Sequence, residues 1–386
     1  MIAWGDIYKV AAAMAPLYFA LGLGYGSVRW WRFFTPEQCA AVNTLVAYFS
    51  MPFFNFDFAA RTDPFSMNYR VIAADAVSKL LTVAAVAAWA RCAGAGAAAR
   101  SSSWPITAFS LATLNNTLVV GAPLLDAMYG QWAQDLIVQI AVVQNLLWFP
   151  LLLLAFELRR AWLAGIPPAD TDEGASSGSS DPEGRVKPSS TSSSSPSPAE
   201  TKEIDGAEAD VEMNGGEPAT GRIRLGPTMR AVARKMARNP NVYASVLGVA
   251  WACAAHRWRV SMPGIVTGSL EVMSRTGTGM SMFSMGLFMA QQKSLIACGG
   301  RLAALGLALR FFAGPASTLV GAVALGLRGD VLRLAIIQAA LPQAIASFVF
   351  AKEYGLHADV LSTAVIFGTL VSLPVLIAYY VVLGII

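Results

Sequence analysis

Apolar residues fall along this chain in runs of about twenty or more, parted by short clusters of charge, glycine and proline. About 20 mostly apolar residues in a helix cross the hydrocarbon core of a bilayer. By that measure five spans lie at about 7–27, 38–60, 70–94, 104–128 and 134–157, and five more at about 241–257, 264–290, 294–325, 331–352 and 359–385. The stretch between the two sets has another character. Ser176-Ser177, Ser179-Ser180 and the run Ser192 to Ser195, mixed with Pro, Gly, Asp and Glu, cannot bury enough apolar surface to fold. The pattern predicts an all-α polytopic membrane protein with ten transmembrane helices. Residues 1–163 are expected to hold a first five-helix repeat, 164–226 a disordered cytosolic linker and 227–386 a second five-helix repeat.

Two spans are interrupted. Leu114-Asn115-Asn116-Thr117-Leu118-Val119 puts a polar break inside one apolar run, and Leu341-Pro342-Gln343-Ala344-Ile345-Ala346 puts another in a run far downstream. The halves also echo each other elsewhere: Phe49-Ser50-Met51-Pro52-Phe53-Phe54 resembles Phe283-Ser284-Met285-Gly286-Leu287-Phe288, and a polar break follows each at a similar distance. An odd number of spans per repeat inverts the second copy in the membrane. Paired interruptions in inverted repeats are the best sequence pointer to the binding site of a transporter. Proline 342 removes a backbone donor and clashes with the carbonyl four residues before it, so the helix breaks there. Non-helical backbone at membrane depth is tolerated only where it is buried in protein or lines a polar cavity. Half-helix N-termini and the amides of Asn116 and Gln343 would suit a small organic anion; the competing reading is a proline kink whose amides bond neighbouring helices.

Composition agrees with a membrane setting. Of the 386 residues 55% are hydrophobic and 13% charged, with mean hydropathy +0.52, where soluble domains carry roughly 25% charge. Half of the 24 acidic residues lie between Asp170 and Glu217, so the spans are poorer in charge still. The net charge of +4 is read as basic cytosolic loops, with no patch suited to nucleic acid. Placing the N-terminus outside gives the cytosolic side Arg159, Arg160, Arg234, Lys235 and Lys352 among others, and leaves Arg61, Arg70, Arg257, Arg259, Arg328 and Arg333 opposite. Arg257 and Arg259 run against this bias. The N-terminus lacks a signal-peptide pattern, and its first apolar run is expected to stay as an anchor. Cys39, Cys92, Cys253 and Cys298 show neither metal nor disulfide spacing.

Few polar residues lie within the spans. Asp75 and Lys79 are four apart on one helix and face the same way. Ionisable groups at such depth face a cavity or a partner, so the pair is either a polar support beneath the substrate, sensitive to protons, or a structural ion pair. Gln144 is a candidate third member of that cluster. Arg310 is deep by position, and the sequence names no acid for it. Asn55 and Asp57 lie late in the second span, and His256 and His357 flank helix ends. There is no Walker motif, nucleophile elbow, zinc motif or pair of catalytic carboxylates, so no catalytic residue, metal site or cofactor is expected and enzyme activity is not.

At the level of longer motifs the chain resembles the plant PIN-type auxin efflux carriers of the short-loop type. The second half carries Asn239-Pro240-Asn241, Gly286-Leu287-Phe288-Met289-Ala290, Arg310-Phe311, Gly314-Pro315-Ala316, Gln338-Ala339-Ala340-Leu341-Pro342-Gln343, Phe348-Val349-Phe350-Ala351-Lys352-Glu353-Tyr354 and Leu361-Ser362-Thr363-Ala364-Val365-Ile366-Phe367-Gly368. The first half carries Asn116-Thr117-Leu118-Val119, Gly121, Pro123, Asp75 and Lys79. The resemblance implies broken fourth and ninth helices that cross, a scaffold beside a moving transport domain in an elevator-type fold, and a homodimer. It implies transport of indole-3-acetate and related small aromatic carboxylates out of the cytosol. Residue by residue it implies a substrate site at Asn115, Asn116, Pro342, Gln343, Val46, Val119 and Ile345, and a support site at Asp75, Lys79 and Gln144.

Three departures stand out. Asn115 occupies the position where the first crossing usually has proline, so the fourth helix is expected to break less sharply or by another route. Ser50, Asn55 and Asp57 stand where Ala, Ser and His are usual. The short linker points to the endoplasmic reticulum membrane, with the plasma membrane as the alternative, and its serines are candidate kinase substrates. With no carboxylate-rich sodium site, uncoupled transport driven by the anion gradient and membrane potential is the leading expectation. A proton- or sodium-coupled carboxylate symporter on the same scaffold, or an anion receptor that does not transport, are the alternatives.

Overall fold

Long runs of Leu, Val, Ala and Phe with few charges leave the backbone no partner in a membrane but itself, so these runs fold as helices. The computed structural model describes residues 4–92, 103–164, 225–292, 294 and 296–385. Among these the first half holds helices α1 (Trp4–Arg29), α2 (Pro36–Arg61), α3 (Tyr69–Cys92), α4 (Ser103–Thr113), α5 (Thr117–Tyr129) and α6 (Gln131–Trp162). The second half holds α7 (Leu225–Arg238), α8 (Pro240–Trp258), α9 (Gly264–Gln291), α10 (Gly300–Ala324), α11 (Gly329–Ala339), α12 (Ile345–Glu353) and α13 (Ala358–Ile385). Six of the described helices are long and apolar enough to cross a membrane: α1, α2, α3, α6, α10 and α13. The chain is an all-helical polytopic membrane protein.

Helix starts follow local chemistry. Thr35 and Gln38 close a reciprocal capping box on α2, with Pro36 in the first turn, and Asn239 caps α8 ahead of Pro240. α1 packs on α9, and α2 on both α8 and α9. α3 packs on α4 and α10, while α10 and α12 pack on α13. The contact of α1 with α9 depends on two glycines: a Cβ on Gly24 would run into the carbonyl of Phe283, and one on Gly286 into that of Leu21. Residues 1–161 and 224–386 belong to one unit.

Several sequence boundaries shift. The spans expected at 104–128 and 331–352 are each two helices, separated by 114–116 and 340–344. The span expected from 294 starts as helix at Gly300. Residues 165–224, nearly all of the expected linker, lie outside the described ones. Its last two positions belong to α7, a helix the apolar-run count passes over because only one side of it is apolar and the other carries Arg230, Arg234 and Arg238.

Charged residues near the ends of α6, α7 and α12 meet. Lys235 of α7 reaches Glu157 of α6 at 3.1 Å, Glu353 of α12 at 2.6 Å and the Tyr354 hydroxyl at 2.6 Å. The Tyr354 hydroxyl donates in turn to Glu157, and its ring stacks on Phe156. Burial works against the Lys235 charge, but its bonds to Glu353, Tyr354 and Glu157 outweigh it and hold its pKa above the lysine range. Burial, reinforced by the carboxylate of Glu157, pushes the Tyr354 phenol up to about 12. At the other end His256 of α8 lies 3.8 Å from Asp63, just beyond α2.

Candidate functional site

The two interrupted helices meet at their interruptions. The Asn116 amide donates to the Pro342 carbonyl at 2.8 Å and the Ala344 amide to the Leu114 carbonyl at 3.1 Å, which pairs Asn115 with Gln343 as two antiparallel strands one residue long. Breaking a helix strands backbone groups, and the other broken helix supplies some of the missing partners.

Side chains alternate across such a pairing. Asn115 and Gln343 stand directly opposite each other and turn to one face. There Arg310 of α10, fully buried, donates through Nη2 to Asn115 Oδ1 and through Nη1 to Gln343 Oε1 at 3.5 Å. The same guanidinium donates to the carbonyls of Leu111 (3.0 Å) and Leu114 (3.3 Å) at the end of α4, and to that of Ala339 (2.6 Å) at the end of α11. One cation thus caps the C-terminal ends of both interrupted helices. Arg310 gets that close because Gly314, one turn on, lies against α4: a Cβ there would strike the Ala112 carbonyl.

The sequence motif suggests Asn116 and Gln343 as equivalent donors, but the register pairs Gln343 with Asn115 instead. Gln343 is fully buried, with its amide donating to the Ser110 carbonyl at 3.0 Å. The Asn115 side chain is equally engaged, its amide bonded to the Gln338 carbonyl at 2.6 Å and to the Gln338 side chain. Asn116 is different: half-buried, next in line on the alternating backbone, and with no hydrogen bond from its carboxamide to the described residues. Pro342 is buried beside it. Val119 is buried in the first turn of α5, and Ile345 opens α12, packed against the main apolar core. Val46 is buried on α2, outside both apolar core clusters.

The structure brings Asp75 and Lys79 together, and Gln144 joins them only through Asn115 and Gln338. Lys79 Nζ sits 2.6 Å from Asp75, both buried, and over the ring of Trp148. The Gln338 amide donates to Asp75 Oδ1 at 3.3 Å, which joins the pair to Asn115. Gln144 donates to the Asn115 carbonyl at 2.8 Å and accepts from the Asn115 amide at 3.4 Å, so a side chain stands in for a neighbouring strand. A polar cavity of about 10 Å³, room for about one water, opens between Asp75, Lys79, Asn115 and Gln338. A larger apolar cavity of about 330 Å³ lies between α2, α6 and α8, lined by Ala59, Met67, Val143 and Leu146 among others, and touches none of the expected site residues.

Four five-residue π-helical turns mark this region: Val46–Ser50, Thr117–Gly121, Gln144–Trp148 and Leu309–Ala313. They contain Val46, the start of α5 beside Asn116, Gln144 and Arg310. A π turn holds one residue more than an α turn and is frequent at functional sites. Nothing in the apolar pattern announces them. Arg310 as a cap is equally hidden, because two of its three carbonyl acceptors lie nearly two hundred residues away in sequence and the third lies on another helix. The other flagged residues have structural partners: Asn55 bonds Asn241 of α8 at 3.0 Å, Asp57 bonds Arg61 at 2.7 Å, and the His357 imidazole meets the Thr107 hydroxyl at 3.0 Å and packs at a tilt against the Trp104 ring. The four cysteines are free thiols.

Comparison with known proteins adds the decisive observation. Residues 9–380 match the family model described as membrane transport protein. The chain is 70% identical to the probable auxin efflux carrier component 5c of Oryza sativa subsp. japonica and 49% identical to auxin efflux carrier component 5 of Arabidopsis thaliana, with at least 99% of each chain covered. It belongs to the auxin efflux carrier family. This is a family of membrane transporters and not of enzymes. A longer member, component 3a of Oryza sativa subsp. japonica, is 32% identical across 618 aligned positions, against 386 residues here. Auxin efflux carriers of both lengths therefore share this chain from end to end.

Proposed function

We propose that this chain carries the indole-3-acetate anion out of the cytosol by alternating access, as an elevator. Counting α4 with α5 and α11 with α12 as one interrupted span each, and setting α7 aside, gives ten spans in two inverted sets of five. α1, α2, α8 and α9, which pack on one another, are the scaffold, and the remaining spans move against it. The observation that carries this reading is the paired crossing with one unengaged carboxamide, Asn116, at the starts of α5 and α12. Half-helix N-termini in a membrane suit a substrate carboxylate. Asn116 and the first amides of α5 and α12 hold the carboxylate, while Val119, Ile345 and Val46 face the indole ring. Asn115, Pro342 and Gln343 build the crossing, and Asp75, Lys79 and Gln144 support it from behind. Transport is uncoupled and driven by the anion gradient and membrane potential. The protein works as a homodimer. Its short linker suits the endoplasmic reticulum membrane, where kinases reach the Ser-rich stretch.

The test is efflux of radiolabelled indole-3-acetate from cells or vesicles bearing this chain, beside Asn116→Ala at equal expression. Loss of efflux in the variant supports both substrate and site; full efflux in the variant removes Asn116 from the site. Binding without flux would make the chain a receptor. One observation favours a second reading, a proton- or sodium-coupled carboxylate symporter: the buried Asp75–Lys79 pair beside a water-sized cavity. Flux that depends on pH in the parent chain, and loses that dependence in Asp75→Asn, would establish it.

A further inference from the structure

We propose that Arg310 is the residue that gives the crossing its preference for negative charge, so that it sets the charge selectivity of transport without touching the substrate. The proposal rests on the anion-carrier reading above. Four helix ends meet at the crossing: the C-terminal ends of α4 and α11 and the N-terminal ends of α5 and α12. Each end acts as about half a unit charge, negative at a C-terminus and positive at an N-terminus. Left alone, the four cancel, and the crossing has no preference for either sign.

Arg310 removes that balance. Its guanidinium bonds Leu111, Leu114 and Ala339, the carbonyls of the two C-terminal ends and of no other. Its single positive charge offsets those two ends, which leaves the two N-terminal ends, about one positive charge in sum, uncompensated beside Asn116. The Asp75–Lys79 pair is neutral overall and does not alter this balance. Among the described residues no carboxylate pairs with Arg310: its other acceptors are the neutral oxygens of Asn115 and Gln343, and its Nε has no partner. A guanidinium wholly out of water without a counter-ion is costly. An anion seated across the crossing supplies the missing charge, and a neutral ligand of the same shape does not.

The experiment compares the affinity of the purified full chain for indole-3-acetate with that for its neutral isostere indole-3-acetamide. Arg310→Lys keeps the charge and loses the fork. Arg310→Gln removes the charge. Gln343→Glu leaves Arg310 in place and sets a carboxylate where the Gln343 oxygen already accepts from it. The acetate-to-acetamide affinity ratio is expected to fall about tenfold or more in Arg310→Gln and in Gln343→Glu, as for a unit charge acting across roughly 10 Å at an effective dielectric near 20. Arg310→Lys should keep the parent ratio even where both ligands bind more weakly. Equal weakening of both ligands in all three variants would make Arg310 a clamp only and overturn the proposal. Should Arg310→Gln fail to fold, Gln343→Glu decides alone. If the parent chain binds neither ligand, the carrier reading fails and this inference with it. If it binds both and Gln343→Glu leaves the ratio unchanged, only this inference fails.

Discussion

The two breaks in this molecule reach the same geometry by opposite means. The downstream break has its cause inside the chain, since Pro342 cannot continue a helix. The upstream break has no proline. Asn115 stands there, and its amide and carbonyl are drawn out of helical bonding by the side chain of Gln144, while Arg310 and Gln338 hold its carboxamide. At Asn115 the interruption is thus held by bonds from neighbouring helices. A helix can be interrupted by a residue that will not extend it or by neighbours that bond its backbone better, and only the first kind is written locally in sequence.

Substitutions can break this contrast in order of severity. Gln144→Leu should be the most damaging, because it strands the buried Asn115 amide and leaves the Asn115 carbonyl only the Thr117 hydroxyl at 3.3 Å. For the amide the loss is about 1–3 kcal/mol, with the weakened carbonyl adding to it, read as a lower Tm of the purified protein. Gln144→Glu, which keeps the acceptor and loses the donor, should fall between. A Tm unchanged in Gln144→Leu would mean the upstream break holds itself. Asn116→Ala should leave Tm alone and weaken indole-3-acetate binding by about 1–3 kcal/mol, measured by titration; the reverse pattern would make Asn116 a structural residue. Pro342→Ala should cost only about 0.4–1 kcal/mol, the usual entropic benefit of proline, because the two hydrogen bonds to Leu114 and Asn116 keep the segment extended. A larger loss would mean that those two bonds do not suffice once the residue that starts the break is gone.

The smallest effect concerns pH. His357 joins the N-terminal end of α4, through Thr107 and Trp104, to the turn that follows α12. Burial first, then the charge of Arg159, holds its imidazole below the usual range, so the folded protein favours the neutral ring. Its contribution is complete above the unfolded value of about 6.5 and starts to fall as pH drops through it. Thermal melts at stepwise lower pH should show this slope in the parent chain and a shallower one in His357→Gln.

What can be read in advance follows from the same contrast. Pro342, six of the apolar spans and the Asp75–Lys79 spacing are local patterns with a counterpart in the structure. The register of the crossing is not local. Nothing in the sequence says that residues 115 and 343 lie opposite each other, so the alternation that separates Asn116 from Gln343 stays hidden. Arg310 reads as a lone charge seeking an acid, since nothing nearby shows that its partners are carbonyls of two distant helix ends. α7 escapes notice because an apolar-run count is blind to a helix with one wet side.

The four π turns bear on how such a site can arise and disappear. Three of them, all but the one that opens α5, are each a single surplus residue held inside a helix whose flanks keep their original facing. Deleting one residue at Gln144–Trp148 or Leu309–Ala313 would restore an unbroken α-helix of the same orientation, with its apolar surface still matched to its neighbours. Gln144 or Arg310 would then no longer point at the crossing. Insertion and deletion of single codons, more than exchange of one side chain for another, are therefore the steps by which a lineage could gain or erase this site while its membrane helices stayed intact.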